Sequence, residues 1–390
     1  MPTRGFPPEL LSQPALARRD YFASKVILHP HLQQVYAATL TSIQRAALGT
    51  LVFVFGPTGV GKTTVRRKLA AQLIQATLPE LEHDPERIPV LELEVPSPES
   101  GRFDWRDYYQ RSLAALQEVR LHYPTDLRVY APEAGQDGAR RLPDGTRREL
   151  RQALETALRH RRPVAFLHDE AQHFKAVAGA RQLLIQMDAI KSLASLTETV
   201  LVLFGTYELL ELTNLSGQLG RRSVDIHFPR YAPGAAEFQN VLWTFQRQLP
   251  LAQEPDLVGQ HEYFYEHTAG CVGVLKEWLT RALDLALVKN ARALTTAHLQ
   301  QSVLAPPKRL QMAREIQEGE AYVRATQDAD AEIRRLLQSH PPTQGSSPAS
   351  AAPPSALPKA GRPTGQRRVV GERRPGRDPV RAQLQPAGGD

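Results

Sequence analysis

The sequence predicts an α/β fold: a parallel five-stranded sheet with flanking helices, then a small helical domain and a disordered C-terminal tail. Three observations carry that reading. An apolar run, Leu51–Phe55, opens directly into the glycine-rich segment Gly56-Pro57-Thr58-Gly59-Val60-Gly61-Lys62-Thr63. Further strand-length apolar runs recur at Ile88–Val95, Val164–His168, Thr199–Phe204 and Val224–Phe228, with helical patterns between them. From Gly234 to about Leu304 the pattern turns purely helical.

Residues 1–50 read as a helical lead-in, because SKVILHPHLQQVYAATLTSIQRA is amphipathic up to the first strand. Residues 51–233 form the α/β domain. Its first helix is expected from about Thr63 to Gln75, and two more around Trp105–Val119 and Arg147–Arg159. Residues 234–305 form the helical domain, with LKEWLTRALDLALV its clearest amphipathic segment. Pro306-Pro307 interrupts the chain, and residues 306–339 hold a polar helix from Arg309 to Ser339, with Gly319 as its weak point. Residues 340–390 are rich in Pro, Ser, Ala and Gly and poor in bulky apolar side chains, so disorder is expected there.

Composition narrows the setting. A chain of 390 residues can bury a large core unaided, and its one cysteine, Cys271, excludes a disulfide framework or a cysteine-based zinc site. That usage fits a cytoplasmic location. The start, MPTRGFPPELL, lacks the apolar core of a signal peptide, and no apolar run reaches membrane-spanning length, so no membrane partner is expected. The formal charge of +7 is uneven: the tail from His340 carries eight basic against three acidic side chains. The folded part is therefore almost neutral, and any nucleic-acid surface on it must come from local arrangement.

The segment after the first strand matches G-x-x-x-x-G-K-[ST] in the context that motif requires, strand before and helix after. Its glycines let successive backbone N–H groups face one concavity, and the following helix adds the positive end of its dipole. Gly56, Pro57, Thr58, Gly59, Val60, Gly61, Lys62, Thr63 and Thr64 are thus the expected ATP-binding residues. Lys62 is expected to reach the β- and γ-phosphates, and the Thr63 hydroxyl to ligate Mg²⁺. An accidental glycine-rich turn is the plainer alternative.

Pro163-Val164-Ala165-Phe166-Leu167-His168-Asp169-Glu170 is an apolar strand ending in two acids. Placed after a phosphate loop, Asp169 suits Mg²⁺ and Glu170 suits the orientation and deprotonation of an attacking water. A helix-capping acid is the alternative. His168-x-Glu170 echoes a zinc-deaminase fragment, but that chemistry also needs a C-x-x-C pair, so His168 and His173 are read as ordinary polar residues.

Thr206, after the fourth strand, is a candidate to contact the γ-phosphate or the water; a turn residue is the alternative. Arg221 and Arg222 precede the fifth strand, where one guanidinium can stabilise charge on a neighbouring subunit's γ-phosphate. A solvated basic pair is the competing reading. Lys276 opens a helix of the second domain and is a candidate to couple that domain to the nucleotide, although a helical lysine is usually only solvated. Gly101–Arg162 holds thirteen arginines, no lysine and nine acids, with Phe103, Trp105, Tyr108 and Tyr109 interleaved. It reads either as a surface tracking a duplex backbone or as a charged, solvated insertion.

Together GPTGVGKTT, GRFDWRDYY, FLHDEAQHF and LVLFGTYELLEL…SGQLGRRSVDIHFPRY resemble the AAA+ ATPases of the TniB/TnsC type, regulators of DNA transposition. The likeness runs from the N-terminal helices to about Leu304, and the tail after His340 lies outside it. It implies a P-loop AAA+ domain with a helical lid. It also implies an ATP- and Mg²⁺-dependent homo-oligomer, as ring or filament, on double-stranded DNA. Such proteins recruit a DDE transposase, in some systems with a target-selector protein, and disassemble on ATP hydrolysis. The resemblance places the inter-subunit arginine finger at Arg221 or Arg222. Lys276 departs from it, because an arginine often holds that lid position. A helicase-loading or replication-initiation ATPase shares the same core, and a slowly hydrolysing nucleotide-gated scaffold is the third reading.

Overall fold

Apolar runs flanked by helices become buried strands here, as the alternation of periods requires. The computed structural model describes residues 4–99, 101–118, 146–176, 179–213 and 223–338. In chain order, α1 (Ala15–Ser24) and α2 (Pro30–Arg45) precede β1 (Leu51–Phe55), α3 (Lys62–Leu81), β2 (Val90–Glu94) and α4 (Trp105–Glu118). Next come α5 (Arg147–Arg161), β3 (Ala165–Asp169), α6 (Ala180–Thr197), β4 (Val200–Gly205), α7 (Leu209–Thr213) and β5 (Ser223–His227). The helical part holds α8 (Ala236–Gln248), α9 (His261–Thr268), α10 (Val272–Val288) and α11 (Thr296–Ser302), and α12 (Pro306–Gln338) follows.

The five strands are all parallel in the order β2-β3-β4-β1-β5. β1, β3 and β4 are buried at every position, so helices must cover both faces. One face packs against α4, α5 and α6, and the other against α2 and α3. This is the AAA+ P-loop fold. Inserting β4 between β1 and β3 brings three strand ends together, and the site is built there.

Several boundaries differ from the sequence expectation. The lead-in is two helices, because Pro30 takes the first-turn position of α2 and residues 25–29 are extended. α1 belongs with the helical part: Phe22 packs at 6.0 Å from Phe245. α3 continues six residues past Gln75, through Pro79, because Leu73 and Thr77 still anchor it to the core. α12 starts at Pro306 and runs unbroken through Gly319. There the missing Cβ admits the Tyr207 ring, which an added Cβ would meet at 2.1 Å.

Phe103, Trp105, Tyr108 and Tyr109 are 8%, 6%, 0% and 1% exposed, so they are core and not a stacking surface. The arginines around them are largely tied within the chain: Arg111 to Asp107, Arg151 to Glu155, Arg162 to Asp84, and Arg147 over Trp105. Arg140, Arg141, Arg221 and Arg222, like the expected disordered tail at 340–390, lie outside the described residues. Among the described residues no helix is long and apolar enough to cross a membrane.

Candidate nucleotide site

Register alone brings the site together. Phe55 of β1 pairs with Gly205 of β4 and His227 of β5, so Gly56 and Thr206 leave the sheet side by side. β3 flanks β4 on its other edge and delivers Asp169 and Glu170 to the same end. The loop between β1 and α3 has the backbone of a phosphate cradle. Gly59 and Gly61 have φ of 80° and 115°, which L side chains rarely adopt. A Cβ at Gly56 would lie 2.2 Å from the Phe228 carbonyl oxygen.

The Lys62 ammonium is buried and donates to the carbonyls of Gly56 (2.9 Å) and Pro57 (2.8 Å). Burial pulls its pKa down to about 8, although Glu170, Cys271 and Asp169 favour the charge. Thr63 and Thr64 occupy the first turn of α3, behind Lys62. Thr58 is exposed at the loop's tip.

Asp169 is 8% exposed at its side chain and fully engaged. Its Oδ2 accepts from Arg66 Nε at 3.0 Å, and its Oδ1 from the Glu170 N–H at 3.1 Å. Arg66 stands one helical turn after Lys62 and also pairs with Glu92 of β2. Glu170 has φ of 51°, in the left-handed region where a non-glycine residue costs about 1 kcal/mol or more. Its carboxylate accepts from Gln172 Nε2 at 2.5 Å, and Gln172 Oε1 accepts from the Thr206 N–H at 3.2 Å. The Thr206 hydroxyl is buried and has no hydrogen-bond partner.

Gln172, Arg66 and Arg230 were not legible as site residues in the sequence. Gln172 lies two residues past Glu170, so a search of the acidic pair's surroundings would have found it. Arg66 lies one helical turn after Lys62, a spacing that puts it on the same face but does not by itself name its partner. Arg230 pairs with Glu320 of α12 at 2.6 Å and contacts Tyr265 of α9, which only the tertiary fold reveals. A cavity of about 820 Å³ is lined by Pro57, Thr58, Thr206 and Tyr207 together with Glu315 and Gly319 of α12.

Lys276 is not directed at the loop. Its ammonium donates to the Phe22 carbonyl and lies 3.7 Å from the Phe22 ring centroid, and burial lowers its pKa to about 8. The lid meets the loop through the Gly273 backbone and the Val274 side chain instead. His168 is fully buried, with Nε2 2.8 Å from the Tyr108 hydroxyl and a pKa pulled down to about 3 by burial. Cys271 is buried too, and its thiol is pushed up to about 12.

A glycine cradle and a buried lysine after β1, with two acids at the end of β3, are the parts of a P-loop site on an AAA+ fold. Residues 47–213 match the family model described as an AAA domain. No curated protein matches the chain in sequence. Among solved structures, the Aeropyrum pernix ORC1 protein in complex with DNA is 18% identical with a TM-score of 0.46, over 76% of this chain and 68% of that one. The Aeropyrum pernix ORC2 protein, in ADPNP–ADP complexes, is 14% identical with a TM-score of 0.44, over 72% and 70%. A Walker-type ATPase of Pyrococcus abyssi is 15% identical with a TM-score of 0.44, over 79% and 76%. At these scores the likenesses assign nothing further to the chain.

Proposed function

We propose that the protein is an ATP-dependent, DNA-binding AAA+ regulator of transposition. It oligomerises on double-stranded target DNA, recruits or activates a DDE transposase and is released by ATP hydrolysis. The observation that carries the hydrolytic part is the convergence of Lys62, Asp169, Glu170 and Thr206 at three neighbouring strand ends. The transposition part rests on the resemblance of GTYELLEL and FPRY to regulators of that kind.

The residues suit ATP and Mg²⁺. The loop glycines adopt the backbone a phosphate cradle needs, and the partnerless Thr206 hydroxyl offers a buried donor at the site. Thr63 and Asp169 supply the hard oxygen ligands that Mg²⁺ takes, and the bound ion would neutralise phosphate charge. Asp169 reaches a metal only by sharing or leaving Arg66.

Glu170 takes a proton from the attacking water at its carboxylate. Lys62 exchanges its loop carbonyls for phosphate oxygens and holds them. Thr206 donates its hydroxyl to the γ-phosphate or the water. Arg221 or Arg222 of one subunit stabilises charge at its neighbour's site, which makes turnover depend on assembly.

ATP turnover measured with duplex DNA and with a DDE transposase of the kind proposed as partner tests the reading. Turnover should rise with DNA and again with the transposase. Capture of a replicative helicase, with no response to a transposase, would place the protein in replication initiation instead.

A further inference from the structure

The side chain two residues past the acidic pair closes a bridge that no motif describes. Gln172 sits in the short 3-10 turn Ala171–Lys175 that follows β3. Its Nε2 donates to Glu170 Oε2 at 2.5 Å, and its Oε1 accepts from the Thr206 N–H at 3.2 Å. Only one amide orientation satisfies both ends, because a carboxylate only accepts and a backbone N–H only donates.

The surroundings hold that amide in place. Glu170 sits in the left-handed region with φ of 51°, and its own N–H is tied to Asp169 Oδ1 at 3.1 Å. The His173 N–H returns to the Glu170 carbonyl at 3.1 Å, which fixes the turn presenting Gln172. Across the site, an added Cβ at Gly205 would stand 2.6 Å from Gln172 Oε1. The last residue of β4 must therefore be small for the amide to reach the Thr206 backbone. A left-handed glutamate, a glycine cleared for an amide oxygen and an unpartnered hydroxyl on the next residue meet at one point.

We propose that Gln172 is a positioning residue for ATP hydrolysis, its amide orienting the Glu170 carboxylate and linking it to the Thr206 backbone at the end of β4. This rests on the ATPase reading above. Glutamine suits the task for chemical reasons. A glutamate would set two carboxylates against each other, and an asparagine, one methylene shorter, would not span both partners. The bridge also joins the residue that faces the water to the strand end expected to sense the γ-phosphate. Movement of Thr206 on nucleotide binding is thereby passed to Glu170.

The test compares Gln172→Ala and the isosteric Gln172→Glu with wild type on duplex DNA, measuring ATP turnover, affinity for a fluorescent ATP analogue and Tm. Both variants should lose about tenfold to a hundredfold in kcat, with analogue affinity within about threefold and Tm unchanged. Gly205→Ala, which displaces the amide without touching Glu170, should lose kcat with analogue affinity kept, although its Cβ also presses on the buried Leu209 and lowers Tm. In the Glu170→Gln background, Gln172→Ala should add no further loss, because the group it orients is already gone. The proposal is overturned if both Gln172 variants turn over at or above the wild-type rate. It is also overturned if kcat, affinity and Tm fall together, or if the losses multiply with Glu170→Gln. If wild type itself does not hydrolyse ATP, the ATPase reading falls first and this role falls with it.

Discussion

Gly273 donates its backbone N–H to the Gly59 carbonyl at 2.5 Å, joining the first turn of α10 to the phosphate loop. Neither residue has room for a side chain: a Cβ at Gly273 would lie 2.5 Å from the Gly59 oxygen, and one at Gly59 would lie 2.5 Å from Val274. The lid therefore meets the loop by a backbone hydrogen bond between two glycines, with the Val274 side chain packed beside Gly59. Gly273→Ala should push α10 off the loop and weaken ATP-analogue binding about tenfold, with about 1–3 kcal/mol of lost stability. Titration of a fluorescent analogue, alongside thermal melting, checks both. Unchanged affinity would show that this contact does not serve the nucleotide.

Glu170→Gln keeps the side chain's volume and removes its basicity. ATP turnover should fall about a hundredfold or more while analogue binding persists, and assemblies on DNA should outlive those of wild type. Phosphate release and native gels report the two effects. Retained turnover would remove Glu170 from the chemistry.

Arg230 and Glu320 tie the segment after β5 to α12 through two hydrogen bonds, at 2.6 and 3.0 Å. Glu320→Ala leaves a half-buried guanidinium with one partner fewer and should cost about 1–3 kcal/mol. The Tm should drop by a few degrees, and limited proteolysis should cut α12 sooner. An unaltered cleavage pattern would mean that Ile316 and the Gly319–Tyr207 contact hold the helix without the ion pair.

His168 carries a pH dependence whose sign can be worked out. Its folded pKa of about 3 lies below the unfolded value of 6.5, so between these values the unfolded chain binds more protons. Stability contributed by the neutral ring is complete above pH 6.5 and is lost as pH falls, by up to about 1.4 kcal/mol per unit. His168→Phe should be less stable at pH 7, because the Tyr108 hydroxyl loses its partner. It should also lose less stability than wild type between pH 6.5 and 5, in urea melts. Equal slopes would show that the ring does not titrate on unfolding.

The fold was largely legible because its signals are local. Leu51–Phe55 and Val200–Gly205 are continuous apolar strands next to turn chemistry, and that pattern announces a buried parallel sheet. The ends of α3 and the split of the lead-in were less legible, since Pro79 and Pro30 punctuate differently inside a packed helix and at its start. At the site, the loop and the acidic pair announce themselves by spacing. Arg66 on Asp169, Gln172 on Thr206 and Lys276 on Phe22 do not, because each partner lies tens to hundreds of residues away. The aromatics of GRFDWRDYY could either pack or stack on sequence alone, because their periodicity does not reveal how deep α4 lies.

Electron microscopy of the purified chain with duplex DNA and a non-hydrolysable ATP analogue shows whether nucleotide drives assembly on DNA. Rings or filaments should form only when nucleotide and duplex are both present, and they should thin out steeply as salt rises from about 50 to 200 mM. Particles that stay monomeric under all these conditions would exclude nucleotide-driven assembly on DNA.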